Sequence, residues 1–301
     1  MAWIFERFLL TVLLAAGWAV KALAAEPESA RILCRVTPRL DRMTKKHLGQ
    51  NFLFDASILA RIIDAAEPSS DDTVVEIGPG PGRLTRLLAE KAKKVIAIEL
   101  DQQLYERLRA ELIGYRNVEL ICGDALKFAY ESIGKFKVVA NIPYYITTPI
   151  IFRLLEARGH LESMTLTIQR EVAERIAATP GGKDYGVLSI MVQYHARPEM
   201  KFIIPKEAFR PIPKVDSAVL HIRILERPSV EVQDEKMFFR VIKTSFSQRR
   251  KTISNSLKGL GGNMKELLTE AGIEPGRRPE TLTLKEFAGL ADSLFKSLNK
   301  H

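Results

Sequence analysis

Thr73-Val74-Val75-Glu76-Ile77-Gly78-Pro79-Gly80-Pro81-Gly82 is a β-branched run that breaks into alternating glycine and proline, and GRLTRLLAEKA at 82–92 follows with helical spacing. A strand that ends in glycines and opens a helix is the first βα step of a nucleotide-type fold. The alternation continues. KVIAIE (94–99) reads as a strand, QQLYERLRAEL (102–112) as a helix, and VELIC (118–122) and FKVVAN (136–141) as two more strands. These strands are continuously apolar, which predicts a parallel sheet covered by helices on both faces. Upstream, Asp55 is placed to cap a helix in which Ile58, Leu59, Ile62 and Ile63 share a face. Downstream, MTLTIQ (164–169) predicts a strand and REVAERIAA (170–178) a helix. FRPIPK (209–214) separates KFII (201–204) from VDSAVLHIRI (215–224), two late strands expected to pair antiparallel at the sheet edge. From Arg227 the pattern is helical, as in KMFFRVIKTSF (236–246) and LKEFAGLADSLFKSL (284–298). The expected organisation is an α/β, Rossmann-like domain over 43–226 and a small helical domain over 227–301.

The chain has 301 residues, 46% of them hydrophobic, with a formal net charge of +9. That balance suits a globular protein with a polyanionic partner; RNA or DNA is the first expectation, although charge alone fits an anionic membrane surface equally. Residues 227–301 carry 14 Lys or Arg against 9 Asp or Glu, so the helical end is the basic one. Cys34 and Cys122 stand far apart without a Cys-x-x-Cys or a neighbouring His pair, which argues against zinc and a disulfide framework. Cys122, inside VELIC, is expected to be a buried core thiol.

The N-terminus conflicts with the rest. Phe8 to Val20 is uncharged, mostly apolar and of signal-peptide length, and Ala22-Leu23-Ala24 resembles a cleavage site. Met43-Thr44-Lys45-Lys46 is a natural start of its own. Residues 1–42 therefore read as a signal-like or over-extended segment outside the fold, with an over-extended start preferred to a targeting signal and a cytoplasmic location expected.

The glycine loop and Glu99, about twenty residues on, suit an adenosine-bearing cofactor, because glycines admit the ligand to the backbone and a carboxylate at the second strand's end can accept from ribose hydroxyls. Asp124, after the third strand, is placed to accept from the cofactor's adenine amine. The spacing separates S-adenosylmethionine from a dinucleotide only in part. Asn141-Ile142-Pro143-Tyr144 adds a second chemistry. An exocyclic adenine amine is a poor nucleophile; an Asn carbonyl and the backbone carbonyl before a proline can accept its two hydrogens and aim its lone pair, while Tyr144 stacks on the base.

GQNFLFD (49–55), EIGPGPGRLT, AIELD, GDAL, NIPYYITTPI, FRPIPKVDSAV and SFSQRRKTISNSL occur in the order found in the small-subunit ribosomal RNA adenine N6-dimethyltransferases, and the chain resembles that dimethyladenosine transferase family from Lys45 to Leu298. The resemblance implies a class I Rossmann-like methyltransferase domain with an antiparallel strand in its mixed sheet and a C-terminal helical domain that contacts RNA. It implies dimethylation of two adjacent adenosines in the 3′-terminal hairpin of small-subunit (16S-type) rRNA, within a pre-30S-type particle and as part of ribosome biogenesis. By motif position, Asn51, Leu53, Gly78, Glu99, Asp124 and Asn141 would bind S-adenosyl-L-methionine, and Asn141, Pro143 and Tyr144 would hold the target adenine. Neither a metal nor a stable membrane partner is implied.

Arg249, Arg250 and Lys251 form the sharpest basic cluster and are the expected RNA grip. Phe246 is expected in the core. Phe209, Pro211 and Pro213 border the NIPY pocket by resemblance, with Phe209 either covering the target base or belonging to a proline-stiffened loop. Two alternatives stay open: a macrolide-resistance-type large-subunit rRNA methyltransferase, which shares the glycine loop and NIPY, and a non-catalytic RNA-binding assembly factor. A dinucleotide-dependent oxidoreductase is disfavoured by the glycine spacing and by five scattered histidines that form no proton-transfer set.

Overall fold

The computed structural model describes residues 51–248 and 250–299. The strands are β1 (Phe52–Leu53), β2 (Thr73–Ile77), β3 (Lys94–Glu99), β4 (Val118–Cys122), β5 (Phe136–Asn141), β6 (Leu161–Gln169), β7 (Ala196–Ile204), β8 (Phe209–Arg210) and β9 (Ser217–Ile224). Seven of them form one sheet in the order β4-β3-β2-β5-β6-β9-β7, while β1 and β8 make a separate antiparallel pair. β2, β3, β4, β5 and β6 run parallel, and β9 runs antiparallel to β6.

The two late strands lie side by side at one end of the sheet, as expected, with β9 on the inner side and β7 outermost. Ser217 to Ile222 are all buried, so this part of β9 is covered on both faces of the sheet. Cys122 differs from expectation: it is half-buried, because β4 is the opposite edge strand and keeps little cover.

The helices that follow the strands are amphipathic. In α1 (Ala56–Ala66), Asp55 caps the N-terminus by accepting from the Ser57 and Ile58 amides, and Leu59, Ile62, Ile63 and Ala66 are buried. α2 (Arg83–Lys91) and α3 (Gln102–Glu111) follow β2 and β3, and α4 (Thr147–Glu156) follows β5. Leu53, Leu59, Ile62, Val74, Leu88, Val95, Phe209 and Val219 belong to one apolar cluster that ties β1 and β8 to the sheet.

The chain divides into two compact units, one holding the described residues up to Arg170 with Met200–Arg223, the other Glu171–Glu199 with Ile224 onward. The second unit thus joins residues 171–199 to the later helical part. Most of α5 (Arg170–Ala177) and all of α6 (Val187–His195) belong to it, with α7 (Glu235–Phe246), α8 (Ile253–Ser256), α9 (Met264–Glu270) and α10 (Leu284–Leu298). Its core is aromatic: Tyr194 packs on Phe238 and Phe239, and Phe246 lies against Tyr185 and Phe287, so Phe246 is a packing residue. α10 begins in a capping box in which Thr283 and Glu286 satisfy each other's backbone amides, and Arg277 pairs with Glu286. Among the described residues no helix is long and apolar enough to cross a membrane, and no cluster of three or more His, Cys, Asp or Glu could hold a metal ion.

Candidate active site

β3 lies on one side of β2 and β5 on the other, so connections leave the carboxyl ends of these parallel strands in opposite directions. A crevice opens at such a switch point. One cavity lies there, lined by Asn51, Phe52, Gly78, Gly80, Glu99, Leu100, Asp124, Asn141, Pro143, Tyr144 and Tyr145 among others. Asn51 and Asn141, ninety positions apart in sequence, meet there because Asn141 ends β5 and Asn51 leads into β1.

The turns are pinned by backbone bonds that tie each strand end to its neighbour. The Gly78 amide donates to the Ile98 carbonyl and the Gly123 amide to the Glu99 carbonyl, both at 2.9 Å. Gly78 has φ +70°, and the side of its Cα that would carry a Cβ faces open space. Gly80, at φ +54°, has no room for one: a Cβ there would lie 2.7 Å from the Phe52 ring, which packs directly on the loop.

Glu99 is 2% exposed. Its Oε2 accepts from the Gly80 amide at 3.1 Å and its Oε1 from the Asp101 amide at 2.9 Å. Burial pushes its carboxyl above the usual range, and those two amides pull it back. Asp124 accepts from the Leu126 amide at 2.9 Å, which fixes its carboxylate beside the cavity. Glu76, deeper under the loop and 1% exposed, has its Oε2 buried without a hydrogen-bond partner. Burial pushes this carboxyl up to about 8, with the nearby Thr85 hydroxyl opposing and the Glu99 charge adding to the rise.

On the opposite wall, Asn141 Nδ2 donates to the Asn51 carbonyl at 2.8 Å. With the amide nitrogen engaged by the β1 segment, Oδ1 remains as the acceptor. Tyr144, on a short 3₁₀ turn (Tyr144–Ile146), shares a 2.8 Å hydrogen bond with Ser217 at the start of β9. Its phenol is pushed up by burial. Among the described residues lining the cavity there are two carboxylates, Glu99 and Asp124, and no Lys or Arg. A pyrophosphate would meet repulsion there, whereas a sulfonium and an ammonium would meet complementary charge.

Seven expected residues, Asn51, Gly78, Glu99, Asp124, Asn141, Pro143 and Tyr144, share this cavity. Leu53 does not line it; it is 5% exposed in the core and borders a smaller space with Glu76 and Asn141. Phe209 is fully buried beside Leu53, so it forms part of the core and covers no base. Arg250 and Lys251 are exposed, while Arg249 lies outside the described residues, as do residues 1–42. Phe52, Leu100 and Tyr145 line the cavity without having been singled out. Each sits beside a motif residue, and only that adjacency marked them.

The family model described as ribosomal RNA adenine dimethylase matches residues 42–296. Ribosomal RNA small subunit methyltransferase A of Moorella thermoacetica is 48% identical over 265 residues, 83% of this chain and 92% of the relative. The protein of the same name from Shouchella clausii is 48% identical over 270 residues, 85% of this chain and 91% of the relative. Among solved structures, a dimethyladenosine transferase from Plasmodium falciparum is similar with TM-score 0.71 and 29% identity, over 83% of this chain and 98% of that one. The 23S rRNA methyltransferase ErmE is similar with TM-score 0.68 and 31% identity, over 81% of this chain and all of that one.

Proposed function

Since the chain belongs to the ribosomal RNA adenine dimethylase family, we infer that it transfers methyl groups from S-adenosylmethionine to N6 of two adjacent adenosines near the 3′ end of small-subunit rRNA. The observation that carries this reading is the convergence of Gly78, Glu99, Asp124, Asn141 and Tyr144 on one cavity at the sheet's switch point. Small-subunit methyltransferase relatives at 48% identity favour this substrate over the large-subunit one of ErmE, at 31%. The intact NIPY and glycine loop speak against a purely structural assembly factor.

When bound, S-adenosylmethionine supplies an electrophilic methyl group on a sulfonium. Glu99 would accept from the ribose hydroxyls, Asp124 from the cofactor's adenine amine, and the Gly78 backbone would border the methionine part. Asn51 and Asn141 would close the same pocket, and Leu53 would contribute through the β1 backbone it anchors. Asn141 Oδ1 and the Ile142 carbonyl before Pro143 would accept the two hydrogens of the target amine and draw it toward tetrahedral geometry. Tyr144 would stack on the base. Displacement from a sulfonium depends on alignment and exclusion of water more than on a strong base, and no histidine is among the described residues that line the cavity. Arg249, Arg250 and Lys251, in the helical part over 227–301, would hold rRNA phosphates in a pre-30S-type particle in the cytoplasm.

The test is transfer from labelled S-adenosylmethionine to small-subunit and large-subunit particles, with mapping of the modified base. Label on adjacent small-subunit adenosines is expected; label on a large-subunit adenosine would replace this reading with the macrolide-resistance type.

A further inference from the structure

Resting on that reading, we propose that Tyr145 is a further cofactor-binding residue, whose ring covers the adenosine half of S-adenosylmethionine while its neighbour Tyr144 faces the target base. Both tyrosines line the cavity, on the 3₁₀ turn (Tyr144–Ile146) that follows β5. Three residues complete a turn of this helix type, so consecutive side chains leave it about 120° apart. Tyr144 is tied to Ser217 at the start of β9 and so points toward the β6 and β9 side of β5. The Tyr145 phenol is pushed up by burial and then by the charges of Asp124, just past β4, and Glu99, at the end of β3. Those strands lie on the other side of β5. Asp124 and Glu99 are the carboxylates that would hold the adenine amine and the ribose, and a ring facing both lies over the nucleoside.

The surface of Tyr145 suits that place. It is 55% exposed although it borders a cavity, so more than half of the side chain is open to a ligand. Leu100, which follows β3, is 52% exposed and lines the same cavity from the other side of β2. A flat purine nucleoside is held by apolar and aromatic bodies against its faces and by a few polar groups at its edges, and tyrosine brings a large ring at little entropic cost.

Dimethylation of two adenosines takes four transfers, and each one leaves S-adenosylhomocysteine in the site. That product has lost the sulfonium charge and kept the adenosine. A ring over the adenosine therefore holds cofactor and product alike, and it contributes equally to the ground state and the transition state of methyl transfer.

Tyr145→Ala and Tyr145→Phe test this against wild type. Each is titrated by calorimetry with S-adenosylmethionine and with S-adenosylhomocysteine, beside binding to small-subunit particles, single-turnover methylation and thermal melting. Tyr145→Ala is expected to weaken both ligands by the same factor, about fivefold or more, and Tyr145→Phe by less than about twofold. KM for the cofactor should rise in Tyr145→Ala while the single-turnover rate at saturating cofactor holds. Particle binding and melting should hold as well. Unchanged affinity for both ligands in Tyr145→Ala would overturn the proposal. A loss confined to S-adenosylmethionine would also overturn it, by placing the ring at the sulfonium. Weaker particle binding with unchanged cofactor affinity would make Tyr145 an RNA-stacking residue instead. A wild-type protein that binds S-adenosylmethionine but methylates no small-subunit adenosine would defeat the enzymatic reading, and the calorimetry would still decide Tyr145.

Discussion

The Tyr144 phenol and the Ser217 hydroxyl lie 2.8 Å apart, and Ser217 is fully buried at the start of a strand that runs antiparallel to β6. The Tyr144 ring, proposed to stack on the target base, is therefore fixed to the sheet. Its orientation depends on a hydroxyl more than seventy residues away in sequence.

Ser217→Ala is expected to lower single-turnover methylation about fivefold by freeing the ring, and Tyr144→Phe to do much the same. Because both remove one bond, the double variant should be no worse than either single one. Tyr144→Ala should cost more, since base stacking worth roughly 1–3 kcal/mol is lost as well. Additive losses in the cycle would separate Ser217 from the tyrosine, and equal collapse of Tyr144→Phe and Tyr144→Ala would make the hydroxyl, and not the ring, the contribution of Tyr144.

Glu99→Ala is expected to weaken S-adenosylmethionine binding by on the order of 1.5–3 kcal/mol, because a charged acceptor for ribose hydroxyls is removed from a buried site. The same change releases the Gly80 and Asp101 amides, so loosening of the glycine loop should accompany it. Calorimetry reads the affinity directly. An unchanged dissociation constant would take Glu99 out of the cofactor site.

Legibility in the sequence followed the range of the forces involved. The parallel strands and their glycine turn were readable because a continuous apolar run and a positive-φ loop are local signals, and motif order carried the cavity residues. α6 was missed: Ser189, Ile190, Met191, Val192, Tyr194 and His195 are all buried, so VLSIMVQYH has no polar face to reveal a helical period. The burial of Phe209 was equally invisible, since only its pairing with Leu53 across β1 and β8 turns it inward. Cys122 looked like core from its apolar neighbours and is half-buried because strand order, which no local pattern encodes, leaves β4 at the edge.

The basic cluster should serve RNA and leave the cofactor alone. Replacing Arg249, Arg250 and Lys251 by Ala is expected to weaken rRNA binding and flatten its dependence on log salt by about two, with S-adenosylmethionine affinity constant. Arg250 and Lys251 are exposed, so little stability should be lost. A salt slope equal to wild type would leave the cluster as a solvated face.

Glu76 should give the apo-protein a pH dependence of stability. Its carboxyl is raised to about 8 in the folded chain by burial, against an ordinary 4.5 when unfolded. Between those values the folded state holds a proton that the unfolded state has released, so stability is greatest below about 4.5, falls as pH rises and levels off above about 8. Glu76→Gln, which cannot ionise, should flatten this slope in chemical denaturation from pH 5 to 9. A wild-type slope retained in the variant would assign the dependence to other groups.

Asn141→Ala tests the chemistry itself. The amide nitrogen is held by the Asn51 carbonyl, and on the proposed mechanism Oδ1 would be the acceptor that matters most as the target nitrogen becomes tetrahedral in the transition state. The loss should therefore fall on turnover, by about a hundredfold or more, with rRNA affinity changing little. Asn141→Asp keeps an acceptor but cannot donate to Asn51, and its carboxylate would face that carbonyl's oxygen; it should be impaired too, with β1 displaced from the glycine loop. Single-turnover methylation on small-subunit particles, with RNA binding measured separately, distinguishes the two steps. Full turnover in Asn141→Ala would sink the proposed activation of the amine, whereas full turnover in Asn141→Asp alone would show that the acceptor suffices and the tie to Asn51 is only structural.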